Sequence, residues 1–455
     1  MKRFVLPLCA LSLVAAGLPG LPGNHSETVD GLYRAAHESE LAYERLRWLC
    51  EVIGHRLSGS DQLEQAFDWA AAQMREDGLQ VTEQPVMVPH WVRGEESLTL
   101  LAPTERPLQV LGLGMTVAGD VEAEVVVVSS FEELDQADVS GRIVLYDVPF
   151  TSYGETVQYR GAGPNRAAAK GAVGVLVRSV TPVSLSTPHT GATRAPEEGV
   201  PAIPAAAITV EDAAWMHGLQ DRGIPIRVHL QLSGELLDEA PSRNLIGDLP
   251  GRELPQEAVL LGCHYDSWDV GQGAQDDGAG CMIAWEAVRL ISLLPEPPRR
   301  TVRVVLYTNE ENGLRGGVAY AKELFDSPRI VAAIESDTGN GRADGFRVDL
   351  RMEDPTRSQS AVWELGAALE AIGGGHMSPG YSGADVGPLA ARGVPSFGMN
   401  HDTTTYWPIH HTWADTFDKI VLEDLQHNAG LMAAMAWMLA EREEPLVVET
   451  RRRRR

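Results

Sequence analysis

The chain of 455 residues carries 63 acidic against 38 basic side chains, for a formal net charge of −25, and 44% of it is apolar. That length and apolar share support two or three cored domains, while so acidic a surface repels nucleic acid and excludes it as a partner. Five arginines, 451–455, oppose this balance; residues 446–455 read as a disordered basic tail.

Taken from the start, residues 1–23 read as an export signal. Met1-Lys2-Arg3 is basic, Phe4 to Leu18 is an apolar run too short for a membrane span, and Ala15-Ala-Gly-Leu-Pro-Gly supplies small residues before the polar Asn24. No lipobox surrounds Cys9. The expected location is secreted or periplasmic, with no membrane span once the signal is removed. Cys50, Cys263 and Cys281 then remain, an odd number without metal-type spacing, so no disulfide framework is expected. Ser60 to Gln73 predicts a helix.

The middle of the chain changes character. Strands are predicted at Ala123 to Val128, Arg142 to Tyr146, Val173 to Val177 and Ile226 to Leu232, with a short helical piece at Arg166 to Lys170 and frequent Pro and Gly between. Residues 112–234 are read as an inserted mixed-β domain, which leaves 24–111 and 235–445 as one discontinuous domain. Gly112-Leu-Gly114-Met-Thr-Val-Ala-Gly119 lacks the third-glycine spacing and the following helix of a dinucleotide site.

Beyond the insertion come three apolar runs, Ala258 to Cys263, Val302 to Thr308 and Ile330 to Glu335, with Gly278 to Leu294 helical between the first two and Leu422 to Ala440 helical near the end. Such runs alternating with helices indicate buried parallel strands, hence an α/β fold with a mixed, mostly parallel, doubly wound sheet. His264 ends the first run, Glu310 and Glu311 follow the second, and Asp337 follows the third. Ligands bind beyond the carboxyl ends of such strands. Together with Asp276, at a loop-to-helix junction, and His411, these residues offer the imidazole and carboxylate set that holds two divalent metals. Asp276 is suited to bridge. Asp266, two residues after His264, could fix its tautomer, and Glu310 is left free as a general base.

The stretches His264-Tyr-Asp-Ser-Trp-Asp-Val-Gly-Gln-Gly-Ala-Gln-Asp276-Asp277, Thr308-Asn-Glu310-Glu311-Asn-Gly, Glu335-Ser-Asp337, Gly383-Ala-Asp385-Val-Gly-Pro-Leu and His410-His411-Thr-Trp-Ala-Asp415-Thr resemble the M28 family of co-catalytic zinc peptidases. Within it the likeness is greatest to the carboxypeptidase Q subfamily and extends to Thr156-Val-Gln-Tyr-Arg160 and Pro188-His-Thr-Gly191. The resemblance implies two Zn2+ held by His264, Asp276, Glu311, Asp337 and His411, with Glu310 as base. It favours His411 over His410, which becomes a supporting or substrate-side group, and Asp276 over Asp277, which orients the loop. Tyr381 matches a tyrosine by which some related aminopeptidases bond the tetrahedral intermediate, as a buried phenol would. Asp385 is open between holding the loop, holding a ligating histidine and capping.

The implied activity is a zinc exopeptidase cutting dipeptides or short peptides with a free carboxylate, in a homodimer; the alternative is an aminopeptidase. A non-catalytic receptor or scaffold on this fold is the more distant alternative, opposed by the completeness of the ligand set. Singly, His-x-Asp suits a turn, Glu-Glu a solvated face, and Asp337 a cap. Their joint occurrence at successive strand ends carries the inference. The Asn400-His401-Asp402 segment is expected to help form the pocket.

Overall fold

A computed structural model describes residues 25–324, 327–350 and 356–446. The expected signal segment lies outside them, as does the tail apart from Leu446, which is not free but buried against the main core. Helices α1 (His25–His37), α2 (Leu41–Trp48) and α3 (Asp61–Glu76) lead into the long strand β1 (Gln80–Val92). The Ser60 hydroxyl accepts the Leu63 N–H at 3.3 Å and so caps α3, which begins one residue later than its sequence suggests.

The chain then builds a separate sheet from β2 (Glu96–Ala102), β3 (Arg106–Leu108), β4 (Val110–Gly112), β5 (Gly119–Val128), β6 (Ile143–Tyr146), β7 (Gly174–Arg178), β8 (Ala205–Ile208) and β9 (Arg227–Leu232). Helices α4 (Phe131–Gln136), α5 (Tyr153–Gly161), α6 (Gly163–Ala169) and α7 (Val210–Asp221) accompany it. Its order is β3-β2-β9-β5-β6-β7-β8-β4. The second unit therefore begins earlier than the predicted boundary at 112, because β2 pairs with β9 and β3 with β2. Strands of three residues, such as β3 and β4, are too short to display a hydrophobic period.

Returning to the first sheet, the chain forms β10 (Glu235–Leu249), β11 (Leu254–His264), α8 (Ala279–Ser292), β12 (Arg300–Tyr307), α9 (Arg315–Glu323), β13 (Arg329–Glu335) and β14 (Ala343–Asp349). It ends with α10 (Thr356–Leu369), β15 (His376–Pro379), α11 (Gly387–Ala390), β16 (Ser396–His401) and α12 (Leu422–Glu441). The order is β1-β10-β12-β11-β13-β16-β14-β15. The centre is parallel, β12-β11-β13-β16, while β10 runs antiparallel to β12 and β14 antiparallel to β16. This is the mixed, doubly wound sheet that the apolar runs imply.

Both faces of the central strands are buried, which explains their unbroken apolar sequence. Val259, Leu261 and Cys263 of β11 join the core under α8 and α12, whereas Ala258 and Leu260 point to the opposite core with Tyr320 of α9 and Leu389 of α11. All three strands, β11, β12 and β13, therefore deliver their carboxyl ends to one edge. Leu261→Ala should cost about 2–5 kcal/mol in urea unfolding, as for other fully buried leucines; a loss below 1 kcal/mol would contradict this packing.

Candidate metal centre

His264 closes β11 at that edge. Its N–H donates to Asp277 Oδ2 at 3.2 Å and its Nδ1 meets the Asp266 main-chain carbonyl at 2.9 Å. Nε2 is thereby aimed at Asp276 Oδ1 and Asp337 Oδ1, each 3.2 Å away. The tautomer is set by the carbonyl of Asp266 and not, as expected, by its carboxylate, which lies 3.9 Å from Nδ1. That carboxylate instead accepts the N–H groups of Glu310 at 3.0 Å and Glu311 at 3.3 Å. The parallel register of His264 with Tyr307 brings the turn after β12 over Asp266.

Asp276 occupies the irregular turn before α8, where its φ/ψ of −123°/92° leaves the helical region. Asp415 holds this turn: its carboxylate accepts the N–H groups of Ala274 at 3.1 Å, Gln275 at 2.7 Å and Asp276 at 3.2 Å. Buried Arg56 holds the preceding loop through the carbonyls of Tyr265, Gln272 and Gly273. Asp277 turns the other way, its carboxylate accepting the N–H groups of His264 and Gly280.

The second oxygen of Asp276, Oδ2, lies 3.2 Å from His411 Nε2, which is also 3.1 Å from Glu311 Oε2. His410 stacks on His411 with ring centroids 3.6 Å apart, and its Nε2 is 3.8 Å from Asp276 Oδ2. One carboxylate thus faces two sets of donors, one oxygen to each. Ligand atoms of His264, Asp276 and Asp337, and separately of Asp276, His410 and His411, lie within 4.8 Å of one another.

Charge at the site is unbalanced. Burial pushes Glu310 well above the usual carboxylate range, with Asp337, Glu311 and Asp266 adding to it, and pushes Glu311 to about 7 with the Asp276 charge. His411 is raised to about 9 because Glu311 and Asp276 outweigh burial. Asp276 Oδ2 and Glu311 Oε1 are buried without a hydrogen bond among the described residues. The carboxylates of Asp276, Glu311 and Asp337 and the imidazoles of His264 and His411 make a donor set that suits divalent cations.

Other expected residues fall differently. Tyr381 is 58% exposed, so it stands at the rim and is not the buried phenol expected; part-burial and the charges of Glu335, Asp337 and Glu310 still raise its pKa. Asp385 neither caps nor holds a histidine. Its loop is held by Glu335, which accepts the N–H groups of Asp385 at 3.3 Å and Val386 at 2.7 Å, while both Asp385 oxygens are buried without partners among the described residues. His401 bonds Ser336 and Gly341, and Asn400 bonds Asp344, so this segment braces the chain around Asp337. Cys50, Cys263 and Cys281 are free and buried.

Arg56, Asp415, Arg160 and Thr190 were not among the predicted site residues. Arg160 and Thr190 lie in the two stretches outside the metal motifs that carry the family resemblance, and the structure brings both to His411: Thr190 O is 3.1 Å and Arg160 Nη1 3.2 Å from its Nδ1.

Residues 244–436 match the model of peptidase family M28. The chain is 39% identical to carboxypeptidase Q of Xenopus laevis over 414 residues, 89% of this chain and 87% of the other. It belongs to peptidase family M28. This M28 chain is accordingly a hydrolase of the metallopeptidase class. The crystal structure of a peptidase M28 precursor from Shewanella amazonensis SB2B aligns with a TM-score of 0.89 at 35% identity, covering 94% of this chain and 99% of that one. A zinc aminopeptidase from Bacillus subtilis shares the fold, with a TM-score of 0.66 at 22% identity over 88% of this chain and 95% of its own.

The metal-free M28 peptidase should lose stability as pH rises. Burial raises Asp415 to about 7 and Glu335 to about 8, alongside Glu311 and His411 as above. Each binds its proton more tightly folded than unfolded, so the stabilisation is full below the unfolded pKa and is lost through the folded one. His189, held at about 3, and His401 and His427, at about 4, act only below pH ~6.5. The melting temperature of chelator-treated protein should fall between pH ~6.5 and 9; a flat or rising curve would count against it.

Proposed function

We propose that this M28 peptidase is a secreted or periplasmic exopeptidase that holds two zinc ions and hydrolyses dipeptides or short peptides bearing a free carboxylate. The observation that carries this reading is the Asp276 carboxylate, one oxygen facing His264 and the other His411, both at 3.2 Å. In this reading His264 and Asp337 hold one ion, Glu311 and His411 the other, and Asp276 both.

Bound zinc supplies Lewis acidity toward the scissile carbonyl and a more acidic water. Glu310, its backbone pinned by Asp266, takes a proton from the attacking water and delivers it to the leaving amine. Tyr381 at the rim donates a hydrogen bond from its phenol to the developing oxyanion. His410 and Asp385 line or support the site without holding an ion. Export rests on the segment 1–23; among the described residues no helix is long and apolar enough to cross a membrane.

The carboxylate preference rests on the likeness to carboxypeptidase Q. A second reading, an aminopeptidase, is favoured by the acidity around the site and by Arg160, whose guanidinium is already engaged by Thr190 and Tyr153 and so is not free for a substrate carboxylate. A dipeptide panel with N-acetylated and C-amidated versions separates the two. Loss of cleavage only on amidation supports the first reading; loss only on acetylation replaces it with the second.

Glu310→Gln should keep its zinc and lose turnover by about 10²–10⁴-fold, and near-normal turnover would remove Glu310 from the base role. Asp276→Ala should lower zinc per chain by metal analysis, whereas retention of both ions would contradict bridging. The family resemblance also implies a homodimer, and a monomer mass by light scattering at micromolar concentration would overturn that.

A further inference from the structure

We propose that Arg160, carried by α5 of the second unit, is a positioning residue for His411, so that one half of the metal centre is completed by a segment outside the metal-bearing sheet. This rests on the two-ion reading. The geometry is a clamp. The Thr190 carbonyl lies 3.1 Å from His411 Nδ1, and the Thr190 N–H donates to the His411 carbonyl at 3.0 Å, gripping both ring and backbone.

His411 needs such a grip because it sits in a loop at φ 62°, a conformation uncommon for a residue with a side chain. Arg160, 6% exposed, fixes the clamp in turn. Its Nη1 donates to the same Thr190 carbonyl at 3.1 Å and lies 3.2 Å from His411 Nδ1, while Nη2 donates to the Tyr153 hydroxyl at 2.8 Å. A carbonyl oxygen has two lone pairs, so Thr190 can accept from both Arg160 and His411 Nδ1–H. In the neutral ring with Nδ1–H on Thr190, the lone pair is on Nε2, which faces Asp276 and Glu311; this is the tautomer that a metal ligand requires.

Gly191 is part of the device. Its φ is 137°, and a Cβ there would stand 2.1 Å from Arg160 Cζ, so only glycine leaves the guanidinium room. The His264 side of the site has its own fixture, the Asp266 carbonyl, and owes nothing to Arg160. The clamp therefore acts on one ion of the pair.

The test is titration of the chelator-stripped full protein with Co2+, read by visible absorption and metal analysis, with circular dichroism to check folding. The wild type should take up two equivalents. In Arg160→Ala one equivalent should weaken by about ten- to a hundredfold, as for other groups that orient a ligating histidine, with the other unchanged. If that variant does not fold, Arg160→Gln carries the same test. Gly191→Ala should reproduce the one-sided loss and add little to it in the Arg160→Ala background. Unchanged affinity at both equivalents, equal loss at both, or a Gly191→Ala cost independent of Arg160 overturns the proposal. Failure of the wild type to take up Co2+ overturns the two-ion reading instead.

Discussion

The structure depends on one carboxylate held between two imidazoles. Asp276 presents Oδ1 to His264 and Oδ2 to His411, and each imidazole has a further carboxylate within about the same distance, Asp337 or Glu311. Such a group cannot wander, because a shift toward one histidine is a shift away from the other. The turn that carries it is correspondingly fixed from three sides: Asp415 gathers its N–H groups, Arg56 gathers the carbonyls of the loop before it, and Asp277 ties the end of β11 to the start of α8. A buried carboxylate accepting several main-chain amides is an economical way to hold an irregular backbone, since every polar group involved would otherwise be unsatisfied away from water.

The same crowding of carboxylates is electrostatically costly. Glu310, Glu335, Asp385 and Asp266 are all pushed upward, burial being the leading cause in each, and the acidic neighbours of the first three reinforce it. Like charges at short range in low dielectric favour either protons or cations. Under the two-ion proposal, cations occupy that role and leave the Glu310 carboxylate for proton transfer.

The second unit is more than a lid on the first. Its Thr190 exchanges hydrogen bonds with His411, and Arg160 and Tyr153 stand behind that exchange. Arg93 adds a further tie, pairing with Asp269 at 2.7 Å and reaching the Gly112 carbonyl. The contacts of Arg160 and Thr190 with His411 span 251 and 221 positions, and they give the 156–160 and 188–191 stretches a physical reason to accompany the candidate metal motifs.

Sequence by itself determined the sheet class and the strand ends, and it singled out His264, Glu310, Glu311 and Asp337 as candidates, because unbroken apolar runs mark strands buried on both faces and polar residues at their carboxyl ends have one place to go. It also determined the helices α3, α8 and α12 to within a few residues. It did not reveal β1, β14 or β15, whose charged and half-exposed sequences carry little period, nor the early start of the second sheet, whose first strands are too short to show one. Nor could it tell which atom of Asp266 meets His264, that Tyr381 is exposed, or that the Asp385 carboxylate has no partner among the described residues. Only the tertiary structure decided that His411, and not His410, faces both Asp276 and Glu311. The physical reason is that hydrogen-bond direction and burial arise from contacts between distant segments, which residue spacing along one chain does not encode.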